Sequence, residues 1–140
     1  MIEADDGFLP LLVRRVRDTP ADVFASFEGA PLRFGELDQM ANALAFWMRE
    51  RGIEPGDAVA LMIRNSPLAL ALLFAIAKLR AVWVPINVQG RGENLGYIFN
   101  HSAPKLIIAE TALTATVAAS GANLDRARVV TTEASKNSAE

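Results

Sequence analysis

Three short polar stretches, each following an apolar run, hold most of the side chains able to do chemistry: Asn65-Ser66, Asn87-Val88-Gln89-Gly90-Arg91-Gly92 and Glu110-Thr111. In the second, two glycines let backbone approach an anion closely, and Arg91 could pair with a phosphate at a helix N-terminus. Arg91 is therefore the one candidate for cofactor binding. The plainer reading of Arg91 is a solvated loop arginine, since no G-x-G-x-x-G or G-x-x-x-x-G-K-[ST] pattern accompanies it. For Asn65 and Ser66 the plainer reading is a helix cap that satisfies free amides. His101 is the single histidine and so the only imidazole base. No G-x-S-x-G motif partners it, and at a helix end it meets the last carbonyls favourably. Thr131-Thr132-Glu133 looks like an aromatic-Thr-Glu substrate segment without its aromatic, a triplet that chance supplies easily. Trp47 and Trp83 are read as packing.

These stretches need elements to position them. A short helix over 7–17 presents Phe8, Leu11, Leu12 and Val16 on one side. Residues 23–28 and 32–34 flank Gly29-Ala30-Pro31 and read as a small hairpin. From Glu36 to Arg51, Leu37, Met40, Ala41, Leu44, Ala45 and Met48 recur at helical spacing, and Gly52 stops the helix. Ala58–Ile63 is apolar throughout, as a strand buried on both faces of a parallel sheet would be. Ser66-Pro67 opens a helix through Leu79 that is apolar nearly all round. Strands at Val82–Ile86, Leu106–Ala109 and Arg128–Thr131 follow, with helices near 93–101 and 111–119 between them. Steps of 23–24 residues, each holding a strand and a returning helix, predict an α/β fold: a parallel sheet of βα units covered by helices, beside the N-terminal hairpin. Residues 1–131 form one structured domain, and 132–140, polar and without apolar periodicity, are expected to be a mobile tail.

Composition narrows the chemistry further. The 140 residues are 51% hydrophobic and 21% charged with net charge −2, outside the disordered and polycationic classes, so no nucleic-acid partner is expected. Residues 1–60 carry 6 basic and 11 acidic side chains and residues 61–140 carry 8 and 5, which places an anionic ligand by preference on the second part. With no cysteine, thiolate zinc sites, iron–sulfur clusters and cysteine nucleophiles are excluded, and a metal could be held only by carboxylates. The acidic start and the lack of a small-residue cleavage site point to a cytoplasmic chain. The longest apolar stretch, Leu68 to Ala77, is too short for the ~20 residues of a membrane span.

The order and spacing of Phe34-Gly35-Glu36-Leu37, Gly52-Ile53-Glu54-Pro55-Gly56-Asp57 running into Ala58-Val59-Ala60-Leu61, Asn65-Ser66-Pro67 and Val84-Pro85-Ile86-Asn87 resemble the N-terminal part of the adenylate-forming, or AMP-binding, enzymes. That superfamily includes acyl-CoA synthetases, luciferases and peptide-synthetase adenylation domains. The likeness covers roughly 20–131. The run Tyr97-Ile98-Phe99-Asn100-His101-Ser102-Ala103-Pro104-Lys105 is most similar to the acyl-CoA synthetase branch. Two positions depart from the pattern: Arg33 stands where the family usually has a hydroxyl residue that caps the next helix, and Arg80 replaces a glycine, which puts a tight helix-to-strand turn in question.

The resemblance implies ATP, Mg²⁺ and CoA as cofactors of the full-length enzyme, with a carboxylic acid and CoA as partners. The acid is activated as an acyl-adenylate and passed to a thiol. The family's phosphate loop, ribose-binding Asp and C-terminal lysine do not occur in these 140 residues. The chain is therefore expected to be a fragment of an ATP-dependent acyl-CoA ligase of fatty acid metabolism, supplying scaffold, with no catalytic residue or metal ligand of its own. On this reading it is inactive alone, binds none of these cofactors tightly, and is open to self-association. The alternative is a free-standing, non-catalytic binding or assembly module on the same scaffold.

Overall fold

The computed structural model describes residues 7–133. Helix α1 (Phe8–Asp18) buries only Leu12 fully, with Leu9 and Val16 half-buried beside it. Phe8 and Leu11, expected on the buried side, are 53% and 49% exposed, because the inward stripe runs through positions 9, 12 and 16. Phe8 still meets Phe74 edge-on at 5.5 Å.

The hairpin pairs β1 (Val23–Phe27) with β2 (Ala30–Arg33). Its turn is Glu28-Gly29, not Gly29-Ala30-Pro31: both turn residues have positive φ, 51° and 80°, as two-residue hairpin turns require. Ala30 and Pro31 already pair, opposite Phe27 and Ser26. Proline is tolerated because a two-stranded ribbon leaves each strand with a free edge.

Helix α2 (Phe34–Glu50) begins two residues before the expected Glu36 and has Arg33 at its N-cap with no side-chain cap. Carbonyls of the preceding loop replace the missing hydroxyl: the Phe34 amide donates to Asp22 O at 3.1 Å and the Gly35 amide to Pro20 O at 2.9 Å. Arg33 Nη1 donates to Ala21 O and steadies that loop. The departure at Arg33 is thus absorbed by backbone.

The main sheet has the order β4-β3-β5-β6, all parallel: β3 (Ala58–Met62), β4 (Val82–Pro85), β5 (Leu106–Glu110) and β6 (Arg128–Thr132). Alternation of side chains across the two central strands makes two cores. Val59, Leu61, Leu106 and Ile108 face α2 and α3 (Pro67–Lys78), packing with Leu37, Met48 and Leu72. Ala60, Met62, Ile107 and Ala109 face the other way, onto Leu95 and Phe99 of α4 (Gly92–Ser102) and Val117 of α5 (Thr114–Ala118). Gly96 lets α4 sit close, since a Cβ there would overlap the Ser120 carbonyl. No residue of α3 is exposed, as its all-round apolarity demands.

Strand β4 is an edge of the sheet, so Val82 and Trp83 are 49% and 45% exposed. Two expectations change. The expected helix 111–119 is a 3₁₀ turn, Thr111–Leu113, followed by α5. Thr132, assigned to the tail, is the last residue of β6 and pairs with Glu110; positions 134–140 lie outside the described residues. The tight turn at Arg80 does form, with Arg80 itself at φ 56° and its carbonyl accepting from the Gly56 amide at 3.0 Å.

Candidate functional site

The connection β3–α3–β4 runs over one face of the sheet and β4–α4–β5 over the other. The chain therefore diverges between the carboxyl ends of β3 and β5, where open α/β sheets place their ligand crevice. Arg64 follows β3 and Glu110 ends β5, and they meet there. Glu110 is 4% exposed. Its Oε1 accepts the Arg64 backbone amide at 2.8 Å, while Oε2 lies 3.7 Å from Arg64 Nε. The buried carboxylate thus ties two strand ends together, and the Arg64 side chain remains 58% exposed.

Ser66 caps α3, its Oγ accepting from the Ala69 amide at 3.1 Å, so the plain reading of Ser66 holds. Arg64, Asn65 and Ser66 form a wall shared by two clefts. One, of about 570 Å³, lies toward the hairpin and includes Phe27, Met40, Glu110, Thr132 and Glu133. The other, of about 870 Å³, lies toward β4 and includes Leu73, Trp83, Pro85 and Asn87. Thr132 and Glu133 of the Thr-Thr-Glu triplet are thus at the crevice rather than in a tail. Trp83 lines a cleft instead of packing in a core, whereas Trp47 is half-buried against the first core and lies under Arg51, 4.1 Å from its ring centre.

The glycine loop is folded upon itself. Asn87 Oδ1 accepts the Gln89 amide at 2.8 Å, and the Gly90 amide donates to Asn87 O at 2.9 Å. Arg91 Nη1 donates to the carbonyls of Val88 and Gly90 at 2.8 and 2.7 Å. The Gly90 amide and Arg91 Nη1 are therefore turned onto the loop's own carbonyls. His101 lies in the last turn of α4 with its ring stacked on exposed Tyr97 at 5.5 Å, on the outside of the sheet rather than at the crevice.

Among the described residues no three acidic or histidine side chains are grouped as metal ligands. Two amides of the glycine loop, those of Gln89 and Gly90, are spent within the loop. No described helix is long and apolar enough to cross a membrane. Sequence reading missed Arg64, which lies between the strand ending at Ile63 and the Asn65-Ser66 pair. The signal available was a lone cation at a strand's carboxyl end, 46 residues from the one acid in an equivalent position.

The chain is 35% identical over 104 residues to a medium/long-chain-fatty-acid–CoA ligase of Mycobacterium tuberculosis, covering 74% of this chain and 17% of that protein. It is 28% identical over 109 residues to bacitracin synthase 3 of Bacillus licheniformis, covering 78% of this chain and 2% of that protein. The solved benzoate CoA ligase of Burkholderia xenovorans LB400 shares the fold at a TM-score of 0.79 with 19% identity, over 90% of this chain and 26% of that one. The chain thus spans about a sixth of the curated CoA ligases it matches. The family model described as AMP-binding enzyme matches residues 12–140, the sheet, both clefts and the hairpin included, and the chain belongs to that adenylate-forming family.

Proposed function

We propose that this chain is the N-terminal piece of an ATP-dependent acyl-CoA ligase that activates a carboxylic acid as its acyl-adenylate and transfers the acyl group to CoA. The observation that supports the choice of branch is the 35% identity over 104 residues to a fatty-acid–CoA ligase; peptide synthetases reach 33% over 94 residues and 34% over 79. On this reading it works in the cytoplasm, in fatty acid metabolism, and the residues here contribute scaffold and one wall of a ligand channel. ATP, Mg²⁺ and CoA act in the longer protein. Adenylation needs a carboxylate held against the α-phosphorus with donors aimed at the developing charge, and positioning of that kind requires groups that converge on one point. At the crevice this chain brings one cation, Arg64, already tied to Glu110. Arg91 is retained as a weaker contact for CoA or nucleotide, since an arriving phosphate has to displace the Val88 and Gly90 carbonyls.

The test is acid-dependent ATP–pyrophosphate exchange with short, medium and aromatic acids, on these 140 residues and on a protein whose reading frame continues past Glu140. Exchange by the longer protein alone supports the proposal. Exchange by the 140 residues overturns the scaffold assignment, and a frame that closes at Glu140 favours a free-standing module instead.

A further inference from the structure

The cleft beside β4 has one charged lining residue, Arg64, set among apolar walls that include Leu61, Leu73, Trp83 and Ile86. Its remaining polar side chains are those of Asn65, Ser66 and Asn87. At about 870 Å³ it falls within the ~300–1,000 Å³ of small-molecule sites, and its make-up, apolar with few polar groups, is theirs as well. The neighbouring cleft differs in sign, because Glu28, Glu110 and Glu133 line it together with Arg64. An anion is therefore favoured only on the β4 side.

Arg64 has donors free for it. One oxygen of buried Glu110 accepts the Arg64 backbone amide and the other lies 3.7 Å from Nε, while among the described residues no hydrogen bond uses the two Nη groups. Arg91, the other arginine at this edge, has Nη1 of its guanidinium committed to two carbonyls.

We propose that Arg64 receives the anionic head group of an apolar- or amide-chained ligand lying in the β3–β4 cleft, with Glu110 as the positioning residue behind it. The head group is a carboxylate or a phosphate. The inference rests on the acyl-CoA ligase reading, in which the acid supplies the first and CoA the second.

Trp83 lines the same cleft and reports occupancy. In a Trp47→Phe background, Trp83 emission is followed while octanoate, octanamide, CoA or pantetheine, which lacks the phosphates, is added. The expected result is that the charged member of one pair binds roughly tenfold or more tightly than its neutral partner, the value of one charge-assisted contact. The octanoate pair responding identifies the acid, and the CoA pair identifies the thiol carrier. Arg64→Gln should abolish that preference with unchanged circular dichroism, and Arg64→Lys should restore part of it. Equal binding within both pairs, no change in Trp83 emission, or a preference that survives Arg64→Gln overturns the inference. Pyrophosphate exchange by the longer protein judges the ligase reading separately: exchange that persists in Arg64→Gln with unchanged KM for acid and CoA keeps that reading and removes Arg64 from it.

Discussion

The two ends of the main sheet are built from similar material and used differently. At the amino end, polar groups are consumed by one another: Lys105 Nζ donates to Gly52 O and to Asp57 Oδ2, and Asp57 Oδ2 also accepts the Glu54 amide at 2.8 Å. Backbone bonds from Gly56 to Arg80, Val82 to Asp57 and Lys105 to Ala58 close the same region. At the carboxyl end a single buried acid bridges β3 and β5, and Arg64 and Asn65 stay exposed beside two clefts. One end is stitched shut and the other keeps unsatisfied donors in reach of solvent. In parallel sheets that asymmetry locates the working edge, since loops and helix N-termini collect there.

The sharpest way to break the contrast is at Glu110. Glu110→Ala removes the acceptor of the Arg64 amide and should cost about 1–3 kcal/mol, the usual penalty for orphaning a part-buried donor. Glu110→Gln keeps an acceptor oxygen and should recover most of it. Arg64→Gln should leave stability within about 0.5 kcal/mol, because the lost ion pair is long and half in water. Urea denaturation of the three variants checks this. Equal losses for Arg64→Gln and Glu110→Ala would mean that the charge pair, not the amide bond, holds the carboxyl end.

At the stitched end the informative change is a gain. Arg80 sits at φ 56°, where a side chain costs roughly 1–2 kcal/mol, and its role in the turn is played by its carbonyl. Arg80→Gly keeps that carbonyl and relieves the strain. Glycine's larger unfolded-state freedom offsets part of the relief, so a net stabilisation of about 0.5–1 kcal/mol is expected in urea midpoints. A loss would show that the arginine side chain itself supports the turn.

How far the sequence revealed this arrangement differs between the same two regions. Apolar periodicity located the strands of the main sheet and the helices α1 to α4 to within about two residues, because a doubly buried run such as Ala58–Met62 and a stripe such as Leu37–Met48 each fit one kind of element and clash with the period of the other. Strand order is not written in periodicity, so nothing marked Val82–Pro85 as an edge or brought position 64 beside 110. The hairpin turn was misplaced for a local reason: Gly-Ala-Pro looked like the turn, while Glu28 accepted a positive φ that its residue type does not advertise. Arg91 drew attention through its glycine neighbours, but spacing cannot show that a guanidinium is folded onto its own loop. Arg64 had no motif at all; only the three-dimensional meeting of β3 and β5 gives it a site.

The smallest effect expected is a pH dependence confined to the stitched end. The Glu54 amide, and after it Lys105, hold the Asp57 carboxyl below the ordinary aspartate range, and partial burial opposes them. A carboxyl whose pKa is depressed by folding adds stability above its unfolded value, near 3.9, and that contribution disappears as pH falls through the folded value. Asp57→Asn removes it. Wild type should therefore exceed Asp57→Asn by a constant margin from pH 7 to about pH 5, and the two should converge below about pH 4. Because Asp57 and Lys105 are both partly exposed, raising the salt concentration should trim the Lys105 share of the margin and leave the share due to the Glu54 amide. Urea midpoints measured between pH 7 and pH 3, at low and high salt, decide it. A margin that stays constant down to pH 3 would mean that Asp57 keeps no closer company in the folded chain than in the unfolded one, and the amino end would then owe its closure to backbone bonds alone.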